Sequence, residues 1–245
     1  MRFAGIQLTS FVDYEGHISC VVFLPSCNMN CWYCHNRHFL NTEGDMSEEE
    51  ILSEISRNSN FLDAVVISGG EPALAPDIKQ FILKLKDMGL KIKLDTNGTK
   101  PEVIKELLSD IDFIAMDIKA PFDRYKMSTC TDDDIGAIKE SIELIRTSDK
   151  PYEFRTTMTP QMNTNDIVSI AEYIKGAVQY AIQQYIPRDG GKVSAIKLKP
   201  HSDQYIFDTA EKVRPLVKRL IVRGTKSELK YQPPTTDHQP SKKDD

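Results

Sequence analysis

The chain has 245 residues, 40 % hydrophobic and 27 % charged, with a formal net charge of −5. This is the composition of an ordinary soluble globule of one α/β domain, and its acidic balance offers no basic footprint for nucleic acid. No apolar run is long enough to span a bilayer and the first residues lack the apolar stretch of a secretory signal, so a cytoplasmic, reducing setting is expected, in which free thiols persist.

Residues 6–11 and 18–24 read as strands joined by a turn at 13–16. A cysteine-rich loop follows directly. Ser47 then opens a helix, with Glu50 placed three residues on for a capping box. A strand at 64–68, a helix near 77–88 and a strand at 91–95 come next. Pro101 takes a first-turn position in the following helix. Strands at 113–118, 153–158 and 180–185 alternate with helices at 134–147 and 166–175. A helix around 207–217 leads to a last strand at 219–223. Strands alternating with helices of this length pair in parallel through right-handed crossovers. Six or seven such units fall short of a closed eight-fold barrel. The expected fold is α/β: a partial, open (βα)6-type barrel with an N-terminal β extension, over residues 1–225. Gly190-Gly191 marks a loop between the last two units, and residues 226–245, polar and Pro-rich, read as a disordered tail.

Cys27, Cys31 and Cys34 form a C-x3-C-x2-C run. Three thiolates from one loop leave a cubane iron–sulfur cluster with one iron open for another ligand. Zinc, closed by His35 or His38, is a rival, as are buried structural thiols. The flanking Asn28, Asn30, Asn36 and Arg37 suit a loop better than a core, and the odd total of five cysteines argues against a disulfide framework. Cys20, in an apolar strand, and Cys130, in a Thr/Asp-rich stretch, read as non-ligands.

Barrels of this kind gather ligands at the carboxyl ends of their strands, and the chemically suggestive residues all fall there. Gly69-Gly70 permits close backbone approach, and Glu71 beyond it could accept hydrogen bonds from an ammonium group. Asp95-Thr96-Asn97-Gly98 ends the next strand, although Asn-Gly is also a plain turn pair. Asp117 and Lys119 share one strand face, which is costly inside a barrel unless the charges pair or bind something. Arg155 offers a fork of donors for a carboxylate or a ribose, or for Asp117. Trp32 and Tyr33 shield the cysteine loop, with the Tyr33 ring bordering an adenine as the functional alternative. His35, His38 and His201 show no partner in the sequence.

These motifs together resemble a known family. Cys27-x3-Cys31-x-Tyr33-Cys34 followed by Gly69-Gly70-Glu71-Pro72 is similar to the radical S-adenosylmethionine (SAM) superfamily. The stretches 23–36, 94–98, 116–120 and 152–157 resemble its glycyl-radical-enzyme activases, above all the branch serving anaerobic ribonucleoside-triphosphate reductase. The likeness covers nearly all of residues 1–225. It implies a 4Fe–4S cluster on Cys27, Cys31 and Cys34, with SAM on the open iron. Gly69, Gly70 and Glu71 would then hold the methionine amino group. Asp95 and Thr96 would lie near its carboxylate, around a monovalent cation, and Asp117, Lys119, Arg155 and Tyr33 would make further SAM contacts. The implied activity is reductive cleavage of SAM to a 5′-deoxyadenosyl radical that abstracts hydrogen from a glycine of a partner enzyme, with a flavodoxin- or ferredoxin-type electron donor. No second cysteine cluster is inserted, unlike the larger activases, and His201 mirrors a late activase histidine only loosely. Two alternatives stay open: a radical SAM enzyme acting on a small molecule, such as a 7-carboxy-7-deazaguanine synthase, and a non-catalytic zinc or electron-transfer module.

Overall fold

A computed structural model of the chain describes residues 1–40, 42–187 and 198–226. Its strands are β1 (Arg2–Phe3), β2 (Gly5–Ser10), β3 (Ser19–Leu24), β4 (Met46–Ser47), β5 (Ala64–Gly69), β6 (Lys91–Thr96), β7 (Phe113–Asp117), β8 (Tyr152–Met158), β9 (Gln179–Gln184) and β10 (Arg219–Arg223). Its α-helices are α1 (Glu48–Asn58), α2 (Ile78–Asp87), α3 (Pro101–Leu107), α4 (Tyr125–Thr129), α5 (Ile135–Thr147), α6 (Thr164–Tyr173) and α7 (Asp203–Val213). The main sheet has eight strands in the order β10-β9-β8-β7-β6-β5-β3-β2. From β3 to β10 every pairing is parallel; β2 alone runs antiparallel, against β3. The edge strands β2 and β10 share no backbone ladder, so the barrel is open along that seam.

The alternation of side chains along each strand decides where the core lies. On β6, Ile92 and Leu94 point outward under the helices, where they join Ile67, Ile114, Phe154 and Ile182 against Phe81, Ile104, Ile142 and Ile170. Lys93 and Asp95 point the other way. The interior holds a small apolar cluster of Tyr14, Val21, Ala64 and Val66, edged by Phe23 and Phe113, and then a set of charges. Tyr14 belongs to the β2–β3 turn, which folds beneath the barrel, and the Lys93 ammonium donates to the Asp13 carbonyl there.

Helix starts follow their caps. Ser47 and Glu50 form the expected capping box, Ser47 N donating to Glu50 Oε2 at 2.7 Å and Glu50 N to Ser47 Oγ at 3.2 Å. The helix expected at 166–175 begins earlier, at Thr164, because Asn163 and Asp166 make a second capping box. The helix expected around 207–217 begins at Asp203, because Ser202 accepts from Tyr205 N at 3.2 Å, and it gives way at Arg214-Pro215 to a short 3-10 turn. The ribbon of β1 with β4 and the single-turn α4 carried no periodic signal at all. Gly190-Gly191 and residues 227–245 lie outside the described residues. No helix among the described residues is long and apolar enough to cross a membrane.

Candidate active site at the carboxyl ends of the strands

Beyond β3 the chain turns sharply at Ser26, which adopts a left-handed backbone (φ 64°). Such a conformation costs a non-glycine residue of order 1 kcal/mol and persists only where neighbours enforce it. Here the enforcers are hydrogen bonds: Ser26 N donates to Phe39 O (3.2 Å), and Ser26 O accepts from Glu71 N (2.9 Å). The Arg37 guanidinium holds the loop from outside, donating to the carbonyls of Asn30 (3.2 Å) and Cys31 (2.9 Å). Asn30 N in turn donates to Thr129 O at the end of α4.

Gly69, at the end of β5, presses against β3, and Gly70 just beyond it presses against this loop. A Cβ on Gly69 (φ 118°) would lie 2.2 Å from Leu24 N, and one on Gly70 would lie 1.6 Å from Ser26 O. Their lack of a side chain therefore lets two stretches of backbone meet, in addition to any approach to a ligand. Glu71 completes the junction. It is 1 % exposed; Oε1 accepts from Ala73 N (3.0 Å) and Thr96 Oγ1 (2.7 Å), and Oε2 from Asn97 N (2.6 Å). In this arrangement the carboxylate ties the end of β5 to the end of β6, and an ammonium group would have to share its oxygens. Burial raises its pKa to about 7, against the pull of those donors.

One cavity of about 180 Å³ brings together the cluster-ligand and SAM-contact residues that the sequence suggests. Cys27, Cys31, Tyr33 and Cys34 line one side, Gly69, Gly70 and Glu71 the next. Asp95 and Thr96, then Asp117, Lys119 and Arg155, complete the wall. Asn36, Asn97, Ser68 and Thr157 line it too, and the sequence reading had assigned them no role. Asn97 is the most informative of these: its amide donates to Asn28 Oδ1 (2.9 Å) and, more loosely, to Cys27 Sγ (3.8 Å). Its place beside Asp95-Thr96 was the available signal. Asn36 Nδ2 donates to Gly69 O (3.0 Å).

The donor set suits an iron–sulfur cluster. Three soft thiols share the cavity, and Met29 N donates to Cys27 Sγ (3.4 Å) as well. Burial pushes the Cys31 thiol up to about 12 and raises Cys27 too, with Lys119 pulling both back; metal binding would release those protons. Among the described residues no three His, Cys, Asp or Glu side chains gather tightly enough to chelate a single ion, whereas a cubane takes each thiolate on a different iron. His35 lines the cavity; His38 does not, and packs on Phe39. Cys20 is buried in β3 and Cys130 is an exposed C-cap of α4. Trp32 packs on Tyr185, and His201 stacks on Tyr205 with its Nε2 2.8 Å from Met162 O, outside this cavity.

Opposite the thiols stands a charged clamp. Arg155 donates from Nε to Asp117 Oδ1 (2.9 Å), from Nη2 to Asp117 Oδ2 (3.2 Å) and from Nη1 to Asp95 Oδ2 (3.1 Å). Lys119 Nζ donates to Asp117 Oδ2 at 3.0 Å. Burial works against the Asp117 carboxylate, but Arg155 and Lys119 together outweigh it and hold its pKa well below the usual carboxylate range. Tyr33 OH is buried in the wall with no hydrogen-bond partner among the described residues, whereas Asp95 Oδ1, which accepts no hydrogen bond, faces Lys93 Nζ at 3.6 Å. A buried group left unpaired is costly, so the Tyr33 hydroxyl is a natural anchor point for a bound molecule.

Residues 21–174 match the Radical SAM superfamily. The chain belongs to that superfamily. A protein of Methanocaldococcus jannaschii that bears the name "putative glycyl-radical enzyme activating enzyme" is 37 % identical over 229 residues, covering 90 % of this chain and 95 % of the relative. A pyruvate formate-lyase-activating enzyme of Clostridium pasteurianum is 35 % identical over 136 residues, 52 % of this chain and 57 % of its own length. Among solved structures, Streptococcus suis SuiB bound to S-adenosylmethionine aligns with a TM-score of 0.60 at 16 % identity, over 83 % of this chain and 52 % of that one. At that identity the likeness speaks for the fold. A radical SAM fold implies a 4Fe–4S cluster and SAM, and the described cavity supplies three thiols and a ring of polar groups to meet them.

Proposed function

We propose that Cys27, Cys31 and Cys34 hold the 4Fe–4S cluster and that SAM binds beside it. The protein then activates a glycyl-radical enzyme, with anaerobic ribonucleoside-triphosphate reductase as the partner and a flavodoxin- or ferredoxin-type protein as the electron donor. When bound, the reduced cluster would supply one electron to SAM, and SAM, losing methionine, would supply the 5′-deoxyadenosyl group that takes a hydrogen atom from a glycine. The observation that carries this reading is the convergence of three thiols, the Gly69-Gly70 turn and the Asp95–Arg155–Asp117–Lys119 clamp on one cavity.

The residues divide the work by chemistry. Lys119 and Arg155 provide cationic donors for the SAM carboxylate. Asp95, paired with Arg155 and Lys93, accepts from the amino group or binds a monovalent cation beside Thr96. Glu71 contributes by tying Ala73 N at the end of β5 to Thr96 Oγ1 and Asn97 N at the end of β6. The Tyr33 hydroxyl, unpaired, is left to meet the nucleoside. The unpaired seam between β2 and β10 supports entry of a peptide loop at the carboxyl end of the barrel.

The test is anaerobic reconstitution with iron, sulfide, SAM and a strong reductant. Wild type is expected to release 5′-deoxyadenosine, and Cys31→Ala to give background. Added anaerobic ribonucleotide reductase should then show a glycyl radical by electron paramagnetic resonance. A site saturated with zinc, or nucleoside no higher than in the cysteine variant, overturns the reading of the site; nucleoside without a glycyl radical overturns the choice of partner.

A further inference from the structure

The charges at the mouth continue downward. On β6, Lys93 sits two residues below Asp95 on the same inward face; on β8, Glu153 sits two residues below Arg155. Lys93 is 5 % exposed and Glu153 1 %. Lys93 Nζ lies 3.6 Å from Asp95 Oδ1 and 4.0 Å from Glu153 Oε1. Glu153 is gripped from below by Arg223, whose Nη1 and Nη2 each donate at 2.9 Å, and by Gln179 Nε2 at 2.6 Å. A chain of alternating sign thus runs Lys119, Asp117, Arg155, Asp95, Lys93, Glu153, Arg223, from the mouth to the floor.

Arg155 is the member of this chain that stands between carboxylates at two levels: it donates twice to Asp117 and once to Asp95, and Glu153 sits two residues below it on the same face of β8. The first two belong to the mouth; the third lies beneath. Lys93 stands beside both Asp95 and Glu153 and offsets their charge from below. Without it, Asp95 and Glu153 would lose the cation they share, a costly change for buried charges; Glu153 would keep Arg223 and Gln179, and Arg155, already bonded to Asp95 at 3.1 Å, is the cation that would be drawn down toward them. We propose that Lys93 is a positioning residue: by neutralising Asp95 and Glu153 from the barrel floor it keeps the Arg155 guanidinium raised against Asp117, in the geometry that receives SAM.

This rests on the SAM site proposed above. The experiment measures SAM affinity by equilibrium dialysis on the anaerobically reconstituted protein, together with the thermal midpoint of each variant. Lys93→Met should weaken SAM binding about tenfold or more. Lys93→Arg should stay within about threefold of wild type. The double variant Lys93→Met/Glu153→Gln should recover most of the loss, because the pull from beneath Arg155 has gone; a residue that merely filled space would show no such recovery. Glu153→Gln alone, which keeps an oxygen for Arg223, should bind SAM within about threefold of wild type, and it decides the matter should Lys93→Met fail to fold. Wild-type affinity in Lys93→Met, a double variant as weak as Lys93→Met, or a tenfold loss in Glu153→Gln alone overturns the inference while leaving the SAM site intact. A wild-type protein that takes up its cluster but no SAM overturns the site itself, and this inference with it.

Discussion

The two ends of the barrel are built from the same inward-facing positions and differ in how completely they satisfy themselves. The floor encloses the larger space, about 620 Å³, lined by Lys93, Glu153, Gln179, Arg219, Arg223 and the β2–β3 turn. Yet its charged strand residues and Gln179 are all engaged: Arg223 and Gln179 on Glu153, Arg219 on Gln179 and Glu15, Lys93 on the Asp13 carbonyl. The mouth, at about 180 Å³, is smaller but holds three thiols and the unpaired Tyr33 OH. Unmet bonding capacity, rather than volume, separates a site from a packed end.

The sharpest way to break this contrast is at the junction that shapes the mouth. Gly70→Ala would put a methyl 1.6 Å from the Ser26 carbonyl oxygen, where backbone meets backbone and no side chain can swing away. The cysteine loop must move or β5 must let go. We expect a loss above about 4 kcal/mol, in the range reserved for severe steric conflicts, and iron uptake and visible cluster absorbance near zero. The floor, far from the change, should keep its structure in whatever fraction folds.

Next in size is Asp117→Asn. It leaves Arg155 and Lys119 facing each other with half their compensation removed. Breaking a buried ion pair from one side costs about 3–5 kcal/mol; with Asp117 about a fifth exposed, about 3 kcal/mol is expected in denaturant titrations. The pH dependence has a definite sign. The folded pKa of Asp117 is depressed, so its contribution is present above the unfolded value near 3.9 and is lost as pH falls below it. Wild type should therefore lose stability steeply on acidification below about pH 4, while the variant, weaker at neutrality, follows a flatter curve.

Glu71→Gln probes the same mouth more gently. The amide nitrogen must face either Asn97 N or the pair Ala73 N and Thr96 Oγ1, all donors to the present carboxylate. One clash of this kind costs about 1–3 kcal/mol. Because burial raises the folded pKa from 4.5 to about 7, the proton is held more tightly in the folded state. The stability linked to Glu71 is complete below about pH 4.5 and fades as pH climbs through 7; Gln at this position should abolish that alkaline decline in the melting profile.

The sequence made the mouth far more legible than the floor, for a physical reason. Strand–helix alternation placed Asp95, Asp117, Lys119 and Arg155 at strand tips, and the topology brings neighbouring strands into register, with Asp117 opposite Arg155. Period-two alternation also puts Lys93 on the face of Asp95. What it could not show was the partner across the barrel: Lys93 meets Glu153 from β8, 60 positions along the chain and two strands away. The same gap hid the partners of Glu71: that its carboxylate takes Ala73 N, Thr96 Oγ1 and Asn97 N is visible only once the ends of β5 and β6 lie side by side. Helix starts failed differently: Ser202 and Asn163 are capping residues, but apolar periodicity drew attention further along each helix.

The smallest effect is expected where the fold looks most in need of help. Across the unpaired seam, Glu15 of the β2–β3 turn accepts from Arg219 of β10 at 2.7 Å, linking the two edge strands that share no backbone bonds. It is tempting to treat this contact as the clasp of an open barrel. Both side chains are more than half exposed, 53 % for Arg219 and 64 % for Glu15, and an exposed pair contributes about 0–1 kcal/mol, less in salt. Arg219 also keeps its bond to Gln179 (3.0 Å) when Glu15 is gone. Glu15→Gln should therefore lower stability by under about 0.5 kcal/mol, an effect that vanishes in high salt, and leave SAM affinity unchanged. A larger loss that persists in high salt would mean that the turn, and not the parallel ladder from β3 to β10, holds the barrel's curvature, and that floor and mouth are coupled through the seam as well as through Lys93.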